Sequence, residues 1–169
     1  MKLLDKLLKS FKKLIRVKSL NAAESWQTRG FDAGEYYWLF ATPVHLVLQR
    51  DSFSMGEMLN LTEAEQTSLL ATLNLHFKED NLQFFEHEST WFLRLQNDPQ
   101  ISTVAPQTLV NRDIQAYLPN GAGATQWAQL TNEIQMLLFD HPVNTLRENQ
   151  QQLSVNSVWF HGLGCIKND

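Results

Sequence analysis

Two short runs of residues, 82–87 and 91–96, alternate between aromatic or aliphatic side chains and polar ones. Alternation with a period of two is typical of strands that bury one face. The few polar residues between the runs predict a tight turn, so we interpret the pair as a β-hairpin. Because a hairpin makes its two strands antiparallel, it is the strongest constraint on how this chain of 169 residues folds.

Two helices are predicted around the hairpin. Thr62 followed three positions later by Glu65 forms a capping box, and the helix that starts there is expected to end near Phe77. The second helix is expected over about 126–139, after the glycine-bearing turn 118–124. The expected buried stripe of the first helix is Ala64, Leu69, Leu70, Leu73 and Phe77.

Three further segments have the composition of strands. Residues 36–42 carry apolar side chains on both faces and end before Pro43, 44–51 have one apolar face, and 155–161 are again β-like. The order of elements predicts an α+β fold, with a mainly antiparallel sheet packed with two principal helices, plus an N-terminal amphipathic helix. The predicted division is an amphipathic helix at 1–20, a connector at 21–34 and a single α+β domain at 35–169.

The N-terminal segment 1–18 has a basic amphipathic pattern, with apolar residues at steps of three and four and lysines on the opposite helix face. It is too polar to span a bilayer and has no uninterrupted apolar run of the secretory kind. Three uses stay open: docking on the body or on a protein partner, including self-association; binding to an anionic membrane surface; and contact with nucleic acid.

Charge is divided along the chain. Residues 1–18 carry a net charge of +6 and the remainder −10, which together make the chain's −4. The acidic remainder argues against nucleic acid as a partner, because binding along phosphates needs clustered lysines and arginines. The single cysteine, Cys165, excludes an internal disulfide and fits a cytoplasmic location, with or without peripheral membrane contact. The five histidines show no zinc-binding spacing, so we expect neither metal nor cofactor.

Polar side chains are dense between residues 132 and 164. On the second predicted helix, Asn132 and Gln135 share a side with the apolar Met136 and Phe139, opposite the core face. A helix that is apolar on two sides is either internal or lines a cleft. The two amides would then need protein partners or a ligand.

A turn follows that helix, because His141 precedes a proline. Thr145 and Glu148 could cap one more helical turn and bring Arg147 close to His141. Arg147 could then clamp a small-molecule carboxylate or phosphate and His141 could transfer a proton, so these two are the candidate catalytic residues. The structural alternative is an ion pair of Arg147 with Glu133 or Glu148. The candidate ligand-binding residues are Asn132, Glu133, Gln135, His141, Asn144, Arg147 and Asn156.

Three stretches carry a resemblance to a known family: WLFATPVHLVLQRD at 38–51, NEIQMLLFDHPVNTLRE at 132–148 and VNSVWFHG at 155–162. Over about 35–164 the chain resembles bacterial RpfE-type regulatory proteins, which are also labelled cofactor-independent phosphoglycerate mutase-like. The resemblance implies a regulatory or binding protein that needs no catalysis. Its mutase label implies instead an enzyme acting on a small phosphorylated or carboxylated metabolite.

Enzymes of the true mutase class use a Ser or Thr nucleophile beside two divalent metals held by Asp and His residues. The sequence shows no such ligand set, so the regulatory interpretation is preferred. A peripheral membrane adaptor, anchored by residues 1–18, is the third alternative.

Overall fold

The computed structural model describes residues 20–166. The expected N-terminal amphipathic helix lies almost wholly outside the described residues, so its partners stay a prediction. Within that range the α-helices are α1 (Ala22–Thr28), α2 (Glu63–His76), α3 (Ala124–Phe139) and α4 (Pro142–Asn149). The strands are β1 (Tyr37–Val44), β2 (Leu46–Leu48), β3 (Phe53–Met55), β4 (Leu82–His87), β5 (Thr90–Leu95) and β6 (Ser157–Cys165). Short 3₁₀ turns lie at Lys78–Asp80, Pro106–Thr108 and Gln115–Tyr117.

Four of the strands form one antiparallel sheet in the order β4-β5-β1-β6, and β2 and β3 form a separate small hairpin. Helices α2 and α3 pack on one face of the sheet, and α1 packs on the other. The predicted α+β class with a mainly antiparallel sheet is therefore confirmed. No helix within the described range is long and apolar enough to cross a membrane.

The predicted hairpin is present as β4 and β5, with Glu86 paired to Trp91 and His87 to Thr90. The two residues of its turn, Glu88 and Ser89, have φ values of 51° and 59°. Positive φ at both positions is the geometry of a type I′ turn, whose twist matches that of the flanking strands. The turn therefore fixes the register in which β4 and β5 pair.

Helix α2 begins where the capping box predicts. The side chain of Thr62 accepts a hydrogen bond from the backbone of Glu65, and the Glu65 carboxylate accepts one from the backbone of Thr62. Leu69 and Leu73 are fully buried in the main core, as expected. Ala64, expected in the same stripe, is exposed because the buried position near the start of α2 belongs to Gln66.

The segment predicted as a connector contains helix α1. Asn21 caps it through a capping box with Glu24, and Ala22, Ala23 and Trp26 are buried. The Trp26 ring stacks on Trp38 of the sheet, with 5.0 Å between ring centroids. The small residues bring the helix close to the strands, and the tryptophan supplies the apolar contact.

Two strand boundaries differ from the prediction. Pro43, expected to end its strand, lies inside β1, paired with Val158. β5 pairs with β1 over residues 37–40, so at Pro43 the missing backbone N–H does not interrupt the β1–β5 ladder. The strand predicted at 44–51 shortens to β2, because the chain turns back at Gln49, whose N–H donates to the carbonyl of Ser52.

Helix α2 offers a matched pair of leucines that tests this packing. We expect Leu73→Ala to lower the free energy of unfolding by about 2–5 kcal/mol, because it removes a fully buried side chain from the core. Leu75→Ala, at a side chain that is 77% exposed on the same helix, should change it by less than about 0.5 kcal/mol. Urea denaturation followed by circular dichroism measures both, and equal losses would contradict the assigned helix face.

Candidate functional site

The dense polar segment begins where α3 ends and α4 starts, and His141 caps α4. Its Nδ1 accepts a hydrogen bond from the backbone N–H of Val143 at 3.2 Å, so the ring proton must lie on Nε2. Nε2 then donates to the hydroxyl of Thr72 at 2.9 Å, and that hydroxyl donates to the carbonyl of Ser68. Both ring nitrogens are therefore engaged.

Burial lowers the pKa of His141, against the smaller opposing effect of a hydrogen bond to the Ser68 backbone, which raises it. The ring is consequently neutral near pH 7, in agreement with the acceptor role of Nδ1. A general base needs a free lone pair directed at its substrate, and here the lone pair of Nδ1 faces the first turn of α4. The contacts of His141 are those of a helix cap.

Asn144 lies one turn into α4 and is buried. Its amide nitrogen donates to the carbonyls of Leu138 and Val155 at 2.7 and 2.8 Å, and its oxygen accepts from the backbone N–H of Val155 at 2.7 Å. The side chain thus pairs with Val155 as a neighbouring strand would, and it also ties that loop to the last turn of α3. These bonds use both amide protons.

Arg147 lies one turn further along α4 and is also buried. Its Nε donates to the carbonyl of Leu153 at 2.7 Å, and one terminal nitrogen contacts the carbonyl of Asn60 at 3.3 Å. The same nitrogen forms an ion pair with Glu65 at 2.8 Å. The partner is therefore neither Glu133 nor Glu148, the two acids expected from the sequence.

The carboxylate of Glu65 bonds both to Thr62 at the start of α2 and to Arg147 of α4. Burial raises its pKa. Hydrogen bonds from the Thr62 backbone and from Arg147, together with the charge of Arg147, lower the pKa by more than burial raises it, so the net shift is downward. The carboxylate therefore stays ionised at neutral pH and caps α2 while it neutralises the buried guanidinium. Sequence reasoning identified its capping role but missed its partner on α4.

Asn156 holds the end of the same loop against β2. Its side-chain oxygen accepts from the backbone N–H of Leu46 at 2.7 Å, and its nitrogen donates to the carbonyl of Leu46 at 2.8 Å. Close by, a ring nitrogen of His45 contacts the carbonyl of Ser154 at 2.8 Å. Side chains of α4 and of His45 therefore satisfy the backbone at Leu153, Ser154 and Val155, while Asn156 ties the end of this loop to β2.

Asn132 and Gln135 lie elsewhere, at the rim of a cavity of about 410 Å³ between α3 and β6. Gln135 contacts the hydroxyl of Ser157 at 3.3 Å. The cavity walls are mostly apolar and come from α3, β2, β3, β6 and the turn before α3; prominent members are Leu46, Phe53, Leu118, Trp127, Val158 and Phe160. Met136 and Phe139, the apolar residues predicted on the same side of α3, are 77% and 80% exposed and do not line this cavity, so that side of the helix faces solvent more than a cleft.

One buried polar atom borders the cavity. The indole Nε1 of Trp127 is buried and has no hydrogen-bond partner within the described residues. Buried N–H groups almost always have partners in folded proteins, and an unpaired one costs about 1–3 kcal/mol. This makes Trp127 the residue beside the cavity that most needs an acceptor. Sequence reasoning placed it in the core and did not mark it as functional.

Glu133 lies at a third place, on the outside of α3. Its carboxylate forms a hydrogen bond with Nε2 of His76 on α2 at 2.6 Å, and both side chains are more than a third exposed. Within the described residues no group of three or more His, Cys, Asp or Glu side chains could hold a metal ion. The candidate residues therefore do not converge on one cleft, and ligand binding by His141 and Arg147 stays a prediction that their contacts do not support.

The ion pair of Arg147 can be tested against an exposed arginine. We expect Arg147→Met to lower the free energy of unfolding by about 3–5 kcal/mol. The substitution leaves the largely buried carboxylate of Glu65 without its cation and the carbonyl of Leu153 without its donor. The exposed Arg112 is the control, and Arg112→Met should cost less than about 0.5 kcal/mol. The measurement is chemical denaturation at pH 7, and a stable Arg147→Met protein would contradict the structural role.

No protein-family model matches this chain. A curated relative from Geobacter sulfurreducens, a probable 2,3-bisphosphoglycerate-independent phosphoglycerate mutase, is 25% identical over 124 residues, which make up 72% of this chain and 30% of the relative. The 2,3-bisphosphoglycerate-independent phosphoglycerate mutase of Methanosarcina mazei is 24% identical over 108 residues, or 62% of this chain and 27% of the relative. The chain thus spans under a third of the length of either relative.

A solved structure shares the fold. The cofactor-independent phosphoglycerate mutase from Thermoplasma acidophilum superposes with a TM-score of 0.56 at 15% sequence identity, over 79% of this chain and 38% of that one. At this identity the superposition speaks for the fold alone. The chain is therefore similar, in sequence and in fold, to one part of cofactor-independent phosphoglycerate mutases.

Proposed function

We propose that this chain is a non-catalytic ligand-binding protein of the RpfE regulatory type, with the cavity between α3 and β6 as its ligand site. One observation carries the proposal: a mostly apolar cavity of about 410 Å³ has in its wall Trp127, whose buried indole N–H has no partner in the described residues. Ligand sites in proteins combine apolar walls with a few fixed polar groups in this way.

The lining defines the class of ligand. The volume of the cavity lies within the range of about 300–1,000 Å³ that is usual for small-molecule sites. Asn132 and Gln135 offer amide groups to a ligand, and Trp127 contributes its ring to the wall. No acidic or basic side chain lines the cavity. A compact, largely apolar molecule with at least one hydrogen-bond acceptor fits these walls.

The contacts of His141 and Arg147 support the absence of a catalytic role at this segment. Both nitrogens of His141 are used in capping and in the bond to Thr72. Arg147 is neutralised by Glu65 and holds backbone carbonyls. Binding without turnover requires none of these groups to be free.

The α3–β6 cavity can be probed with 1-anilinonaphthalene-8-sulfonate, whose fluorescence rises in apolar surroundings. We expect saturable binding at one site. Ala128→Trp should weaken it by about tenfold or more, because Ala128 lines the cavity and a larger ring would fill it. Fluorescence titration measures the dissociation constant.

Met136→Trp is the matched control, since Met136 lies on the same helix, is 77% exposed and does not line the cavity. It should leave the dissociation constant unchanged. Equal weakening by both variants, or no saturable binding to the folded wild-type chain, would remove the cavity as a ligand site.

A second candidate function is supported by the likeness to phosphoglycerate mutases. It is an enzyme that acts on a small phosphorylated metabolite. The direct assay supplies 3-phosphoglycerate with Mn²⁺ or Mg²⁺ and follows 2-phosphoglycerate through enolase. We expect no turnover above that of an identical purification from cells lacking the chain, and turnover above this blank would overturn the non-catalytic proposal.

A further inference from the structure

A second cavity, of about 460 Å³, lies where the C-terminal end of α1 meets β1, the β4–β5 turn and residues 58–61. It shares no lining residue with the cavity between α3 and β6. Several of its lining side chains can donate hydrogen bonds, and none is acidic; the donors include Arg29, Thr42, Asn60, Gln66, Thr90 and His161.

Arg29 is the single charged residue in this lining at neutral pH, and its neighbours are neutral. One terminal nitrogen donates to the carbonyl and hydroxyl of Ser25, and the other lies 3.4 Å from the hydroxyl of Thr90. The guanidinium also lies over the ring of Phe92, 5.3 Å from its centroid. These contacts hold the group in place without balancing its charge.

The Nε of Arg29 is buried and has no hydrogen-bond partner in the part of the chain that the structure describes. Within residues 20–166 Arg29 also forms no ion pair, in contrast to Arg147. A partly desolvated cation with an unused donor is unfavourable by itself, and an oxyanion beside the guanidinium would balance its charge. Arginine is suited to this role, because its planar donors match carboxylate and phosphate groups.

Thr42 and His161 form a polar pair on another wall, with 3.2 Å between the hydroxyl oxygen and Nε2. Burial lowers the pKa of His161 to about 4, so the ring is neutral at physiological pH and adds no charge. Gln66 is held by Trp91, whose indole N–H donates to its side-chain oxygen at 2.8 Å. The cavity therefore surrounds one fixed positive charge with oriented neutral groups.

We propose that this cavity binds a small oxyanion, the phosphate or carboxylate group of a metabolite, with Arg29 as its charged donor. The guanidinium supplies the charge and terminal N–H groups, and the neutral hydroxyl and amide groups of the lining complete the shell. This site is separate from the proposed apolar site, so each can fail without the other.

The test observes Arg29 directly. Arginine Nε–H groups give resolved signals in two-dimensional ¹⁵N–¹H spectra, and the wild-type chain is titrated with sodium phosphate, sodium acetate or sodium chloride at equal ionic strength. We expect a saturable shift of the Arg29 signal with phosphate, acetate or both, and none with chloride. The arm that saturates identifies phosphate or carboxylate as the ligand chemistry.

Arg94 is the internal control, because it is held over Tyr36 and by Gln83 outside the cavity. Its signal should not shift. Equal shifts at Arg94 and Arg29, or no saturable shift at Arg29 in any arm, would overturn the proposal.

Two variants separate binding from stability. Arg29→Met should weaken anion binding by at least about tenfold, as expected when a charged hydrogen-bond donor is lost. This variant has no Arg29 signal, so its titration follows the backbone N–H signals of lining residues such as Thr90. Thr42→Val keeps the shape of the Thr42 side chain and leaves Arg29 in place. It should weaken anion binding less than Arg29→Met does, and the Arg29 signal still reports the binding. If Arg29→Met does not fold, the wild-type and Thr42→Val titrations still decide the outcome. Unchanged affinity in both variants would contradict the proposed site.

Discussion

The buried guanidinium of Arg147 is the constraint on which the C-terminal half of the structure depends. It is held by the carboxylate of Glu65 and the carbonyl of Leu153, so it joins α2, α4 and the loop before β6. A buried charge is tolerated only when it is paired and hydrogen-bonded, and removing one partner strands the other. The position of α4 on α2 therefore follows from this pair. Asn144 adds a contact with the loop before β6, and Asn156 joins the end of that loop to β2.

The two arginines, Arg147 and Arg29, differ in whether their charge and their N–H groups have partners. Arg147 has a carboxylate and two carbonyls, whereas Arg29 has neutral contacts and an unused Nε. In sequence, Arg147 was the more suggestive residue, because it stands among histidine and asparagines. The structure reverses that order: the residue in the conspicuous motif has its partners, and the residue in the inconspicuous segment lacks one.

Local signals in the sequence were sufficient for much of the fold. The hairpin and α2 could be predicted because a period of two, a tight turn and a capping box act within a few residues. Helix α1 has its own capping box at Asn21 and Glu24, but its short sequence does not reveal the packing surface that it forms against Trp38, Phe85 and Phe92 of the sheet. The pairing of Arg147 with Glu65 spans 82 positions and leaves no trace in local spacing. The candidate site could not be predicted correctly for the same reason, since tertiary contacts decide which polar groups stay unpaired.

The pairing of β1 with β6 has a consequence for how the chain reaches this structure. Val44 pairs with Ser157, so the β1–β6 side of the sheet joins segments separated by most of the described sequence. Closing so long a loop costs conformational entropy before the contact repays it, and proteins rich in such pairings fold slowly. During synthesis, β1 and the β4–β5 hairpin emerge well before β6. Until β6 is synthesised, the edge of β1 that pairs with it has no partner strand. An open strand edge is a site of aggregation, so this interval is when the nascent chain most needs a chaperone.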